Sequence, residues 1–122
     1  MPAARQQARA NGYAGAQYPW ESTLDGSEAT PEVIIHPETK ALIPIPNGRV
    51  ELHITANIAD AVDHYWRVTG DDDFMRAYGA EMLLSTAQFW ASRAERHPGL
   101  PRHEFTNVIG PDEWHEHVNN NA

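Results

Sequence analysis

The chain has 122 residues, 41% hydrophobic and 21% charged, a balance that suits one soluble globular unit and is too apolar for a disordered segment. A net charge of −8 with nine Lys and Arg argues against nucleic acid or an anionic membrane as partner, because following a phosphate backbone requires clustered basic residues. With no Cys there is no disulfide framework, thiolate metal site or Cys nucleophile, so the chemistry falls to His, Asp and Glu.

The N-terminus, Met1-Pro2-Ala3-Ala4-Arg5-Gln6-Gln7, lacks the apolar run of a signal peptide, and no stretch has the length to cross a bilayer. The chain therefore reads as soluble and cytoplasmic. Residues 3–17 are rich in Ala, Gln and Arg and predict a helix, weakened by Gly12 and Gly15 and stopped before Tyr18-Pro19. Such a helix would deliver Trp20 and Glu21 into a loop, where Trp20 either packs the helix end or offers a ring beside a carboxylate.

Residues 22–49 carry many breakers, among them Asp25-Gly26, Pro31, Pro37, Pro44, Pro46 and Asn47-Gly48, and predict a long loop. Val33-Ile34-Ile35 and Leu42-Ile43 suggest short extended pieces without a hairpin strong enough to found a sheet. Residues 51–69 form the clearest helix, with Ile54, Ile58, Ala61, Val62 and Tyr65 at three- and four-residue spacing and Gly70 as its C-cap. His53 and Asn57 lie one turn apart beside the apolar face. They can line a cleft, although a structural His is the commoner outcome.

The acidic link 71–73 can cap the next helix and complement its dipole. That helix should run to about Arg96, with Phe74, Tyr78, Met82, Leu83, Thr86, Phe89 and Trp90 as a core stripe and with Gly79 and Ser85 permitting close helix approach. Glu81, Arg93 and Glu95 are placed on its solvated side. After His97-Pro98-Gly99-Leu100-Pro101, residues 104–109 alternate as one short strand leading to Gly110-Pro111-Asp112-Glu113-Trp114-His115-Glu116-His117. About three helices with long loops and one short strand make an all-α arrangement. Their apolar faces ask for further helices, so residues 1–122 read as part of a larger domain.

Three functions compete for the C-terminal stretch. Asp112, Glu113, His115 and His117 can ligate a metal, but the two His are two apart, whereas the helical zinc motif sets them at i and i+4. Alternatively, Glu113 serves as a proton donor in glycosidic cleavage. Its neighbours Asp112 and Trp114 would raise its pKa by like charge and partial burial, while Trp20, Glu21, Trp114 and the Asn119-Asn120-Asn121 run offer stacking and hydrogen bonds to sugar. A non-catalytic helical module with a merely solvated acidic end is the third.

Tyr18-Pro19-Trp20-Glu21-Ser22, Glu51-Leu52-His53-Ile54-Thr55-Ala56-Asn57-Ile58-Ala59, Phe89-Trp90-Ala91-Ser92-Arg93 and Gly110-Pro111-Asp112-Glu113-Trp114-His115-Glu116, in this order, resemble glycoside hydrolase family 65, which contains maltose, trehalose and kojibiose phosphorylases and acid trehalases. The resemblance implies a segment of an (α/α)6 barrel catalytic domain that cleaves α-linked glucosyl disaccharides with inversion. It assigns Glu113 as general acid and implies Trp20 and Glu21 as sugar contacts, with His53 and Thr55 near the acceptor sugar and Trp114 beside the acid. No cofactor is implied; inorganic phosphate is the co-substrate if the enzyme is a phosphorylase. Homo-oligomerisation through the helix faces is a further expectation.

Trp114 stands where the family usually has Tyr, Asn57 and Asp60 stand where it often has Asp and Tyr, and the loop 31–46 matches no family block. An inverting hydrolase also needs a second carboxylate about 6.5–9.5 Å from the acid, whereas a phosphorylase needs an anion site instead. The resemblance implies that either lies after Ala122.

Overall fold

In the computed structural model, which describes residues 1–112 and 114–121, the order of elements is α1 (Pro2–Ala10), β1 (Val33–Ile35), β2 (Leu42–Pro44), α2 (Asn47–Val50), α3 (His53–Thr69), α4 (Asp72–Phe74), a π-helical turn (Met75–Gly79), α5 (Ala80–Arg93), β3 (Glu95–Arg96) and β4 (His103–Glu104). Helix dominates. The strands form two separate antiparallel pairs, β1 with β2 and β3 with β4. This composition is compatible with a segment of an all-α domain.

The first helix is shorter than the expected 3–17. It stops at Ala10, and the chain then turns back along it: Tyr13 N–H donates to the Ala8 carbonyl at 2.8 Å and Gln17 N–H to the Ala4 carbonyl at 3.0 Å. Gly12 and Gly15, with φ of +85° and +73°, supply the left-handed backbone this return needs. At Gly15 there is a second reason, because an added Cβ would collide with the Ser85 carbonyl and the Phe89 nitrogen of α5.

The loop 22–49 also departs from expectation, since its two apolar pieces pair. Val33 lies opposite Pro44, Ile34 opposite Ile43 and Ile35 opposite Leu42. The turn is built by His36, whose Nδ1 accepts the N–H groups of Glu38 and Thr39 at 3.2 Å each, and by Lys40 at φ +60°. Side-chain-to-backbone bonds of this kind replace the Asn-Gly signal of tighter hairpins.

α3 matches its sequence pattern, ending on Gly70 at φ +63° with the Gly70 N–H bonded to the Trp66 carbonyl. Asp71 then caps α4 by accepting the Phe74 N–H at 2.9 Å, as the acidic link suggested. α4, the π turn and α5 follow without a break and fold back on α3. Within the π turn Gly79 is buried, and a Cβ there would approach Val62 of α3 to 3.3 Å.

The helix ends at Arg93 rather than Arg96, and Arg93 is not on a solvated face. It is 5% exposed, with its guanidinium 5.6 Å from the Tyr13 ring centre; one nitrogen donates to Glu95 Oε1 at 2.7 Å and another to the Thr106 carbonyl. Burial of this cation is tolerated because each side of the fork has an acceptor. The Thr106 hydroxyl, and after it Arg93, holds the Glu95 carboxyl below the usual carboxylate range despite desolvation. Glu81, by contrast, is exposed as expected and pairs with Arg5 at 2.9 Å.

The single strand expected over 104–109 is replaced by two features. Glu95 pairs with Glu104 and Arg96 with His103, while Val108 forms an isolated antiparallel bridge with Val118. Ala8, Leu52, Phe89 and Val108 make the buried core, with Tyr13, Trp90, Phe105 and Val118 packed against it. Phe89 meets Tyr13 and Trp90 edge-on at 5.6 and 5.3 Å, and burying such a ring contributes about 1.5–3 kcal/mol. This core joins the N-terminal helix, the start of α3, α5 and the C-terminal loop. Tyr65, Trp66, Val68, Tyr78 and Leu84 remain exposed on the helical layer.

Candidate active site

The core brings the separated motifs together. Leu52 and Val108 belong to the same buried cluster, and the Ile109 N–H donates to the Val50 carbonyl at 3.0 Å, so the approach to the C-terminal loop is tied to the entrance of α3. His53 begins α3, its side chain largely covered. The Trp20 indole stands against it, ring centres 5.1 Å apart with the planes at 64°. An edge-to-face contact of this kind fixes both rings in direction.

Thr55 is fully buried, and its hydroxyl accepts the Tyr18 N–H at 3.0 Å. Its observed contact is thus with the backbone leading into Trp20. Glu51, also buried, accepts from Asn47 Nδ2 at 2.7 Å and lies 3.8 Å from His53 Nδ1. Glu21 is exposed, and its main chain is hydrogen-bonded at both N–H and C=O. Asn57 and Asp60 are exposed as well.

Glu113 lies outside the described residues. Of its sequence neighbours, Trp114 is 89% exposed, and Asp112 is paired with His115, Oδ2 to Nδ1 at 2.6 Å. The hydrogen bond from His115 holds the Asp112 carboxyl below its ordinary value. The His117 Nδ1 instead meets Asn107 Oδ1 at 2.6 Å. The two imidazoles thus have different partners, and the described residues contain no group of three His, Cys, Asp or Glu able to hold a metal.

The Asn run has a role that its sequence did not reveal. Asn119 Oδ1 accepts the Asn107 N–H at 3.1 Å, Asn120 Oδ1 accepts the Phe105 N–H at 2.9 Å, and the Asn121 side chain packs so closely on Gly110 that a Cβ there would displace it. With the Val108–Val118 bridge, these amides close the neck of the loop whose tip carries Asp112 and Trp114. The run was expected to offer sugar contacts, whereas two of its side chains are committed to the backbone.

Glu28 belongs to none of the sequence motifs. Its carboxylate accepts the N–H groups of Trp20 at 2.7 Å and Glu21 at 3.1 Å. Alternation and spacing carry no trace of such a bond; the one local hint is a carboxylate two residues before Thr30, whose hydroxyl it also accepts at 2.7 Å.

Compared with known proteins, the chain matches the glycosyl hydrolase family 65 central catalytic domain over residues 1–122. It belongs to that family. Among its relatives are the kojibiose phosphorylases of Halothermothrix orenii and of Caldanaerobacter subterraneus subsp. tengcongensis, each 54% identical, and the kojibiose hydrolase of Flavobacterium johnsoniae, 40% identical. Each match covers 100% of this chain and 16% of the relative, so the chain spans about one sixth of these family 65 proteins. Among the described residues no helix is long and apolar enough to cross a membrane.

Proposed function

We propose that this chain is a segment of an inverting α-glucoside phosphorylase whose barrel of paired helices is completed by further sequence, and that its substrate is a glucosyl disaccharide of the kojibiose type. The observation that carries the reading is the convergence of three motifs far apart in sequence: Trp20 against His53, and Ile109 bonded to Val50 at the head of the C-terminal loop. Kojibiose phosphorylase relatives at 54% identity, against 40% for the hydrolase, favour phosphate over water as the attacking group.

In this reading Glu113 gives its proton to the glycosidic oxygen as the bond to the anomeric carbon breaks. A phosphate oxygen attacks that carbon from the opposite face, yielding an inverted glucosyl phosphate and the freed acceptor sugar. Trp20, Glu21 and His53 line the sugar, Trp114 offers an open ring face, and Thr55 supports the wall from behind through Tyr18. Phosphate is a substrate here, and no cofactor takes part.

The test uses the full-length protein that carries this segment, with kojibiose and inorganic phosphate, following glucose 1-phosphate and its anomeric configuration by NMR. Wild type should release the β anomer, and Glu113→Gln should lose turnover by about 10²–10⁴-fold while still binding sugar. Turnover retained by that variant would sink the acid assignment. Phosphate-independent release of glucose would instead establish the hydrolytic reaction.

A further inference from the structure

The loop that presents Trp20 and Glu21 is built on one carboxylate. Glu28 Oε2 accepts the Trp20 N–H at 2.7 Å; Oε1 accepts the Glu21 N–H at 3.1 Å, so consecutive peptide groups meet the two oxygens of a single side chain. Oε1 also takes the N–H groups of Ala29 at 3.1 Å and Thr30 at 2.9 Å and the Thr30 hydroxyl at 2.7 Å. From the other side Gly48 of α2 presses on it, since a Cβ there would stand 3.1 Å from Glu28 Cγ and Cδ.

The segment between the clamped ends is closed in its own right. Ser22 bridges to Glu28, and the Ala29 N–H donates to the Glu21 carbonyl at 2.8 Å. At the tip Asp25 accepts from the Thr23 hydroxyl at 2.6 Å and from Ser27, which lower its pKa to about 2. A separate cleft of about 600 Å³ between α1 and the β1–β2 hairpin includes Glu28 and Thr30 in its lining but neither Trp20 nor His53.

We infer that Glu28 is a positioning residue for the sugar site, fixing the main chain of Trp20 and Glu21 so that the indole meets His53 and the Glu21 side chain leaves the loop from a fixed point. This rests on the sugar-site reading above. An ionised carboxylate only accepts, which suits a pocket of N–H and O–H donors, and charge-assisted bonds of this length are stronger than neutral ones. Burial raises the Glu28 pKa, but the Thr30, Trp20 and Glu21 donors outweigh it and leave the group below its ordinary value. A neutral glutamine keeps one acceptor oxygen and turns an NH₂ toward the remaining donors.

The experiment measures kcat and the separate KM values for kojibiose and phosphate in the full-length protein and its Glu28→Ala, Glu28→Gln and Glu28→Asp variants. Thermal midpoints and hydrogen exchange of the peptide covering 18–30 are recorded on the same samples. Glu28→Ala should raise the disaccharide KM by about tenfold or more, leave the phosphate KM within twofold and speed exchange at 18–24. Glu28→Gln should fall between it and wild type. Should the alanine variant fail to fold, the Gln and Asp variants decide. Disaccharide KM and exchange within twofold of wild type in the folded variants overturn the inference. An inert wild type would defeat the phosphorylase reading instead, and the exchange comparison would still decide the clamp.

Discussion

Two loops carry the proposed site residues, and they are held in opposite ways. The loop after α1 is pinned at the residues expected to touch sugar, by one charged side chain that binds the backbone of Trp20 and Glu21 directly. The loop after β4 is pinned at its neck, by the Val108–Val118 bridge and the neutral amides of Asn119 and Asn120, while Trp114 at its tip stays exposed. The first arrangement fixes a ring in place; the second fixes only where the tip begins. In the proposed reading, the first loop is the one held at its sugar contacts, and the second is held away from its tip.

The largest effect expected from breaking this pair is at the tip itself, where Glu113→Gln removes the proposed proton donor. Next comes the clamp on the opposite loop, whose loss should appear in the disaccharide KM. The neck is tested by Asn119→Ala with Asn120→Ala. Each substitution removes one bond to a backbone N–H and should cost about 0.5–1.5 kcal/mol locally, read as faster exchange of the peptide covering 103–121. If that peptide exchanges as in wild type, the amides are not what closes the neck.

Trp114→Ala should be smaller for stability, within about 0.5 kcal/mol, because the ring is exposed in the segment. Its effect should appear as a raised disaccharide KM. An unchanged KM would remove Trp114 from the site.

Acidification tests the Glu28 hold directly. The Glu28 pKa is lowered from an ordinary value of 4.5, so its stabilisation is fully present above that pH and is lost as pH falls through the lowered value. Glutamine at this position does not titrate. After correction for intrinsic rates, protection of residues 18–24 should therefore fall in the acidic limb more in wild type than in Glu28→Gln. An equal fall in the two proteins would mean that the carboxylate is not the hold.

Periodicity was most informative where structure is local. The apolar spacing in α3, the left-handed Gly70 and the Asp71 cap are each decided within a few residues, so they could be read directly. Residues 11–17 could not: their helix-forming composition yields to a chain reversal that presses Gly15 on α5, a constraint set some 70 residues away. Arg93 looked solvated because a charged side chain usually is, and its acceptors come from Glu95 and Thr106 beyond the helix end. The hairpin over residues 33–44 was hidden by prolines that sit at its margins and in its turn, with Pro44 closing β2.

The family was legible in the order of its motifs, and the comparison over residues 1–122 bears that out. By itself the sequence determined which residue types are available for chemistry, and it displayed the motifs Pro19-Trp20-Glu21, His53 and Asp112-Glu113-Trp114 that mark the family. Only the tertiary structure decided that Trp20 meets His53, that Thr55 and the asparagines serve the backbone, and that Glu28 holds the loop carrying Trp20 and Glu21. The reason is physical: a side chain that binds a distant or adjacent main-chain N–H leaves no periodic or compositional mark, because its partner is a group every non-proline residue carries.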